Sequence, residues 1–159
     1  MMRLKRAAIA AAAIGVTASG AEALTLRKRV RDVPLPGLPS DLDGLTVMHI
    51  SDVHAGYGPG LTLMRRCAVW AAEVEPDLIA LTGDLVARRS AAPGFAAAAA
   101  ELVAAARHGA FASLGNHDLA RGRDPFAQGW DAGDLGGFEL LDGAAAERTV
   151  NGRRISICW

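Results

Sequence analysis

The chain is 159 residues long and carries 17 basic against 17 acidic residues, a formal net charge of zero. That length fits one domain, and that balance leaves no basic footprint for nucleic acid. Hydrophobic residues make up 51% of the sequence, but many are alanines that bury little surface each. Two cysteines, Cys67 and Cys158, lack the spacing of a metal site or a disulfide framework, so both are expected to be buried free thiols.

Residues 1–23 open with Arg3, Lys5 and Arg6, continue through the uncharged run AAIAAAAIGVTA, and reach the small-x-small triplet Ala21-Glu22-Ala23. This pattern reads as a secretory signal peptide, which places the protein outside the cytoplasm. The apolar run is short of the roughly 20 residues of a membrane span. A signal anchor with Glu22 near the interface is the alternative, and an amphipathic helix the plainer one. Residues 24–44 carry Pro34, Pro36, Gly37 and Pro39 and read as a linker into an edge strand, since proline is excluded from a central one. Arg27, Lys28, Arg29 and Arg31 there form a solvated face or, more sharply, a contact with anionic lipid at a membrane surface.

From residue 45 three stretches share one plan. TVMHISDVHAG (Thr46–Gly56), DLIALTGDL (Asp77–Leu85) and AFASLGNHD (Ala110–Asp118) are each an apolar strand that ends in a polar, glycine-marked cluster. Strand periodicity puts Asp52 and His54 on one side, and a carboxylate beside an imidazole suits a divalent cation. Alone, D-x-H reads equally as a capping aspartate and a surface histidine. Asp52, Asp84 and Asn116, however, are each 32 residues apart, the length of a strand-helix-strand unit. Parallel strands then bring all three clusters to one edge of one sheet.

The connecting segments agree. Leu61, Met64, Ala68, Ala71 and Ala72 recur at helical spacing across Pro59–Glu75, and Pro76 stops that helix. Ala92–His108 is a second, alanine-rich helix, with His108 a cation near its C-terminus and Gly109 as a left-handed cap. His49 has the opposite strand parity to Asp52 and His54 and reads as a packed strand histidine. A short helix is expected around Asp124–Leu135. Strands are expected at Glu139–Leu141, Ala146–Val150 and Arg153–Trp159, with Asn151-Gly152 as a hairpin turn. Trp70, Trp130 and Tyr57 read as structural or substrate-facing.

The succession D-x-H, G-D-L, G-N-H-D resembles the calcineurin-like metallophosphoesterases, over about Leu45 to Trp159. The fold implied is an α/β, α-β-β-α sandwich of which this chain holds the first half, parallel βαβ units followed by a β-hairpin. The resemblance implies a site for two divalent ions, Mn, Fe or Zn, with Asp52 and His54 at the first ion, Asp84 bridging, and Asn116 at the second. His117 would protonate the leaving alkoxide and Asp118 would orient it. The preceding LPGLPSDLDGLTVMHISDVHAG is similar to an exported or membrane-associated bacterial branch, which implies a phosphodiester or pyrophosphate substrate, lipid-linked sugar nucleotides included.

One departure stands out. The four histidines are His49, His54, His108 and His117, and none follows. The resemblance calls for later ones, including a G-H-x-H motif, so the first ion lacks one imidazole and the second two. The chain also ends in the strand-like RRISICW. It therefore reads as the N-terminal part of a longer enzyme, nearly inactive alone. A non-catalytic remnant that binds phosphate or a partner is the alternative, and the neutral charge disfavours a nuclease.

Overall fold

The structure, a computed structural model, describes residues 25–115, 118, 135–141 and 143–158, and the backbone of residues 6–13. Strand β1 spans Arg6–Ala13 and β2 Arg27–Pro34. Strand β3 (Thr46–Ser51) leads to helix α1 (Gly60–Val74), then β4 (Leu78–Thr82), helix α2 (Ala92–Ala105) and β5 (Ala110–Ser113). Strands β6 (Glu139–Leu140), β7 (Ala145–Val150) and β8 (Arg153–Cys158) follow.

Six strands form one sheet in the order β2-β1-β3-β4-β5-β6, parallel from β1 to β6. Only β2 runs antiparallel. Parallel neighbours need a crossover, and α1 and α2 provide the two that join β3 to β4 and β4 to β5. Both helices lie on one face of the sheet. Met48, Ile50, Ile79, Leu81, Ala110 and Ala112 turn toward them by strand alternation and share one buried cluster with them. Val47, Leu78 and Phe111 take the other parity and pack with Ala146, Ile155 and Ile157 of the β7–β8 hairpin. The layers are thus helices, parallel sheet and hairpin, the partial metallophosphoesterase-type α/β sandwich expected from the sequence.

The helix that follows β3 begins one residue after Pro59 and ends at a left-handed Glu75 just before Pro76. Its buried stripe is Leu63, Met64, Cys67, Ala68, Trp70 and Ala71. This is rotated from the expected one: Ala72 is exposed and Leu61 only half-buried. The indole of Trp70 takes the place of the expected alanine because a large ring gains far more by burial than a methyl group. Lys28 lies over that ring, 5.2 Å from its centroid. Phe95 and Leu102 are the large buried anchors of alanine-rich α2. Small residues on that helix permit close approach. A Cβ at Gly136 would lie 2.3 Å from the Ala96 carbonyl oxygen, so the turn before β6 rests on the α2 backbone.

Several expectations need correction. The second helix ends at Ala105 rather than His108, because Ala106 turns to an extended conformation. His108 instead sits at the amino edge of the sheet, 3.9 Å from Asp77, to whose carbonyl its backbone N–H donates. Asp77 also accepts from the Thr46 N–H at 2.7 Å and hydroxyl at 2.8 Å, which locks the start of β3 to that of β4. Cys67 is buried and its thiol is pushed up to about 12 by desolvation, with Lys28 pulling the other way. Cys158, however, is exposed: it has the outward parity of β8, opposite to Ile155 and Ile157. Independently of the signal reading, Arg6–Ala13 forms a sheet strand between β2 and β3. The helix expected at Asp124–Leu135, and Trp130, fall outside the described residues but for Leu135 itself. Asn151 and Gly152 both have positive φ, as the expected tight hairpin requires. Arg153 and Asn151 hold that hairpin to Asp41, at 2.7 and 2.8 Å.

His49 packs on the hairpin side of the sheet, where its Nε2 shares a 2.7 Å hydrogen bond with the Thr82 hydroxyl. Burial lowers its pKa from the usual 6.5, and the charge of Asp52 opposes this less strongly. A depressed folded-state pKa means that neutral His49 contributes stability above the unfolded value near 6.5, and that this is lost as pH falls through the folded one. Urea unfolding at pH 8, 6.5 and 5 should therefore show a stability loss in the wild type that His49→Gln reduces. Parallel pH curves for the two proteins would refute it.

Candidate metal centre

The chemistry-bearing residues lie where β3, β4 and β5 end, at the carboxyl edge of the parallel sheet, the usual place for a site in such sheets. Ser51 closes β3, and the chain then leaves strand geometry. Asp52 has φ 56° and His54 φ 46°, and Asp84 after β4 has φ 48°. All three are left-handed, a conformation that costs a non-glycine residue about 1–3 kcal/mol and persists only where its surroundings impose it. The pleat of a strand therefore does not bring Asp52 and His54 together, as the sequence suggested; two left-handed turns of backbone do.

What imposes them is a ladder that outlasts the strands. The N–H of His54 donates to the Asp84 carbonyl at 2.8 Å, and that of Ala55 to the Leu85 carbonyl at 3.0 Å. A further parallel bridge joins Ala55 to Val86. On the other side Gly83 donates to the Ser113 carbonyl at 3.0 Å. The loops after β3 and β4 thus run side by side and carry their side chains to one place.

Ligand atoms of Asp52, His54 and Asp84 lie within 4.8 Å of one another. Imidazole Nε2 of His54 is 3.5 Å from Oδ2 of Asp84. Asp84 is buried, His54 intermediate and Asp52 exposed, so the cluster opens to solvent on the Asp52 side. Donors that share a divalent ion at ~2.0–2.2 Å from each sit ~3–4 Å apart, so small side-chain rotations bring this trio to a cation. Two carboxylates and an imidazole are hard and borderline donors, suited to Mn, Fe or Zn. The residues present fit the ion.

Asp118 was expected to orient His117. Its carboxylate is fully buried and is occupied with backbone. Oδ1 accepts from Leu85 N–H at 2.9 Å and Val86 N–H at 3.3 Å, and Oδ2 from Gly115 N–H at 2.8 Å. Burial raises its pKa; the bonds from Gly115, Leu85 and Val86 pull it down, and the charge of Asp84 pushes it up again. Asp118 therefore ties the turn after β5 to the loop after β4. Asn116 and His117, between Gly115 and Asp118 in the sequence, fall outside the described residues. Gly115 has no room for a side chain, because a Cβ there would lie 2.3 Å from the Asp84 nitrogen. The only sequence signal for this role was an aspartate three residues beyond a glycine, as in a side-chain-closed turn.

The rim holds a pair that the sequence analysis did not connect. The guanidinium of Arg88 lies 5.1 Å from the centroid of half-exposed Tyr57, and the Arg88 N–H donates to the Ala55 carbonyl at 3.1 Å. His49 stands apart from the trio, on Thr82.

Comparison with known proteins agrees with this geometry. A model of the calcineurin-like phosphoesterase family matches residues 45–155. A protein of Danio rerio described as "Transmembrane protein with metallophosphoesterase domain" is 30% identical over 125 residues, which cover 76% of this chain and 25% of that protein. The chain thus spans about a quarter of the length of this curated relative. No solved structure matches it. No helix among the described residues is long and apolar enough to cross a membrane.

Replacing Asp118 by alanine would orphan three backbone N–H groups, each costing ~1–3 kcal/mol when buried without a partner. Some of this is recovered by water. The expected loss is ~2–5 kcal/mol in urea unfolding, with Asp118→Asn intermediate because one acceptor oxygen remains. A loss below ~1 kcal/mol for Asp118→Ala would remove the clamp role.

Proposed function

The chain belongs to the calcineurin-like phosphoesterase family, and we propose that its site serves hydrolysis of a phosphodiester or pyrophosphate bond with two divalent ions. The convergence of Asp52, His54 and Asp84 at one sheet edge carries this reading. Bound cations of this kind polarise a phosphoryl group and make a nucleophile available at neutral pH.

The residues divide the remaining work. Asp84, the most buried of the trio, would hold both ions, since a shared carboxylate offsets their mutual repulsion. Asp52 and His54 hold the first ion from the solvent side, and Asn116 serves the second. His117 gives a proton to the leaving alkoxide, a task typically worth 10²–10⁴-fold in rate. Asp118 fixes Gly115, Leu85 and Val86 through the backbone bonds described above. The substrate is a small phosphoester or a lipid-linked one. Export fits the basic, apolar start of the chain, and a membrane setting accords with the relative's name. Cleavage behind Ala23 would take β1 out of the sheet.

A second reading has its own support. Among the four histidines only His54 lies in the described trio, and no imidazole follows His117. With so few ligands, the 159-residue chain alone would hold one ion weakly and turn over little, acting as a phosphate-binding or partner-binding unit.

Both readings are open to one set of measurements on the purified chain, Mn²⁺ titration and turnover of a chromogenic phosphodiester. Asp84→Asn should abolish ion binding together with any hydrolysis. His117→Ala should keep the ion and slow turnover by ~10²–10⁴-fold, as loss of a proton donor does. Equal ion loss in both variants would overturn the division of roles. Retained ion binding without turnover in the wild type would favour the second reading.

Export is tested separately by fusing residues 1–45 to a reporter that is active only outside the cytoplasm. Activity is the expected result; a reporter confined to the cytoplasm would exclude export.

A further inference from the structure

The densest run of charge in the chain lies away from the acidic centre, on the outer strand β2. Every residue from Arg27 to Asp32 is exposed. Lys28 turns toward α1, 5.2 Å from the Trp70 ring centroid and 3.8 Å from Glu73. By strand alternation Arg27, Arg29 and Arg31 share the opposite face, about 7 Å apart along the strand. Two large apolar side chains of this edge are also exposed: Val30 at 71%, on the Lys28 face by the same alternation, and Leu35 at 45%, just past the strand. A protein of zero net charge thus carries three guanidinium groups on one face of its edge strand, and exposed Val30 and Leu35 along the same strand edge.

We propose that this edge docks on a bilayer surface rich in anionic phospholipid. The combination decides the occupant. A soluble polyanion or nucleic acid needs cations alone and gains nothing from exposed Val30 and Leu35. A lipid surface that meets this outermost strand edge-on takes both, cations against headgroups and apolar side chains into the headgroup boundary. Register adds a consequence. Arg27 lies opposite Ala13, and Ala13 opposite Ser51, the residue before Asp52. The basic row therefore begins two strand spacings, about 10 Å, from the start of the metal centre. A chain docked through β2 holds the carboxyl edge of its sheet near the headgroups, where a lipid-linked phosphoester would be met. The docking itself rests on β2 and not on the hydrolase reading, so it is tested without turnover.

The experiment is co-sedimentation of the 159-residue chain with vesicles of phosphatidylcholine, with and without phosphatidylglycerol, over a range of salt and in the presence of chelator. Binding should require phosphatidylglycerol and weaken as salt rises. The R27Q/R29Q/R31Q variant should bind on the order of 100-fold more weakly, as expected for three cations near such a surface. R65Q/R66Q, which removes charge from the exposed side of α1, should bind like the wild type. R27K/R29K/R31K should keep most of the binding, which guards against a folding defect in the triple glutamine variant. Equal binding to pure phosphatidylcholine, or an unchanged affinity of the triple glutamine variant, would overturn the proposal. Tighter binding to a DNA duplex than to the vesicles at matched phosphate would overturn it in favour of nucleic acid.

Discussion

A single buried carboxylate holds the candidate centre in shape. Desolvating an anion costs several kcal/mol, and Asp118 offsets this with charge-assisted bonds from Leu85, Val86 and Gly115, each worth roughly 1.5–3 kcal/mol. Those donors belong to two different loops, so the bonds fuse the end of β4 to the end of β5. Gly115 completes the joint, since any side chain there would collide with Asp84. The ladder from His54 and Ala55 to Asp84 and Leu85 then adds the end of β3. Three loops become one rigid edge, and that rigidity sustains left-handed backbone at Asp52, His54 and Asp84, where isolated residues would relax.

This explains which parts were legible in the sequence. Apolar runs that stop at Gly or Asp marked β3, β4 and β5, because a strand buried on both faces needs continuous apolar residues and its loop does not. The 32-residue spacing marked the crossovers, and Asn151-Gly152 marked the hairpin, because only such residues accept its backbone. Less was legible where the cause is tertiary. The bonding of Asp118 to Leu85 spans 33 residues and leaves no local pattern. The inward turn of Trp70, and the outward turn of Cys158, depend on which face meets a neighbouring layer. The left-handed ligand positions left only a weak signal: aspartate and histidine are enriched in that region, but most of them adopt other conformations.

The two faces of the sheet divide the labour. Helices cover one with alanine, leucine and phenylalanine, and the hairpin covers the other with Ala146, Ile155 and Ile157. Asp41 anchors the far end of that hairpin through Arg153 and Asn151. Asp77 and Thr46 close the amino edge of the sheet with hydrogen bonds between their side chains and backbone. With that edge locked and both faces covered, the open carboxyl edge is left for chemistry.

The same logic gives meaning to a net charge of zero. Equal totals of acid and base describe the composition and hide the placement. Asp52, Asp84 and Asp118 gather at the ends of the three central strands, where a cation would relieve the repulsion of the first two and backbone N–H groups bind the third. Arg27, Arg29 and Arg31 gather on the outer strand, two strand positions away. Had the two sets been adjacent, they would have paired with each other. Strand β1 keeps them apart with an uncharged stretch, Ala7–Ala13, between the basic strand and the acidic edge. Separation of charge across one uncharged strand keeps the acidic edge and the basic strand of a neutral protein from neutralising each other.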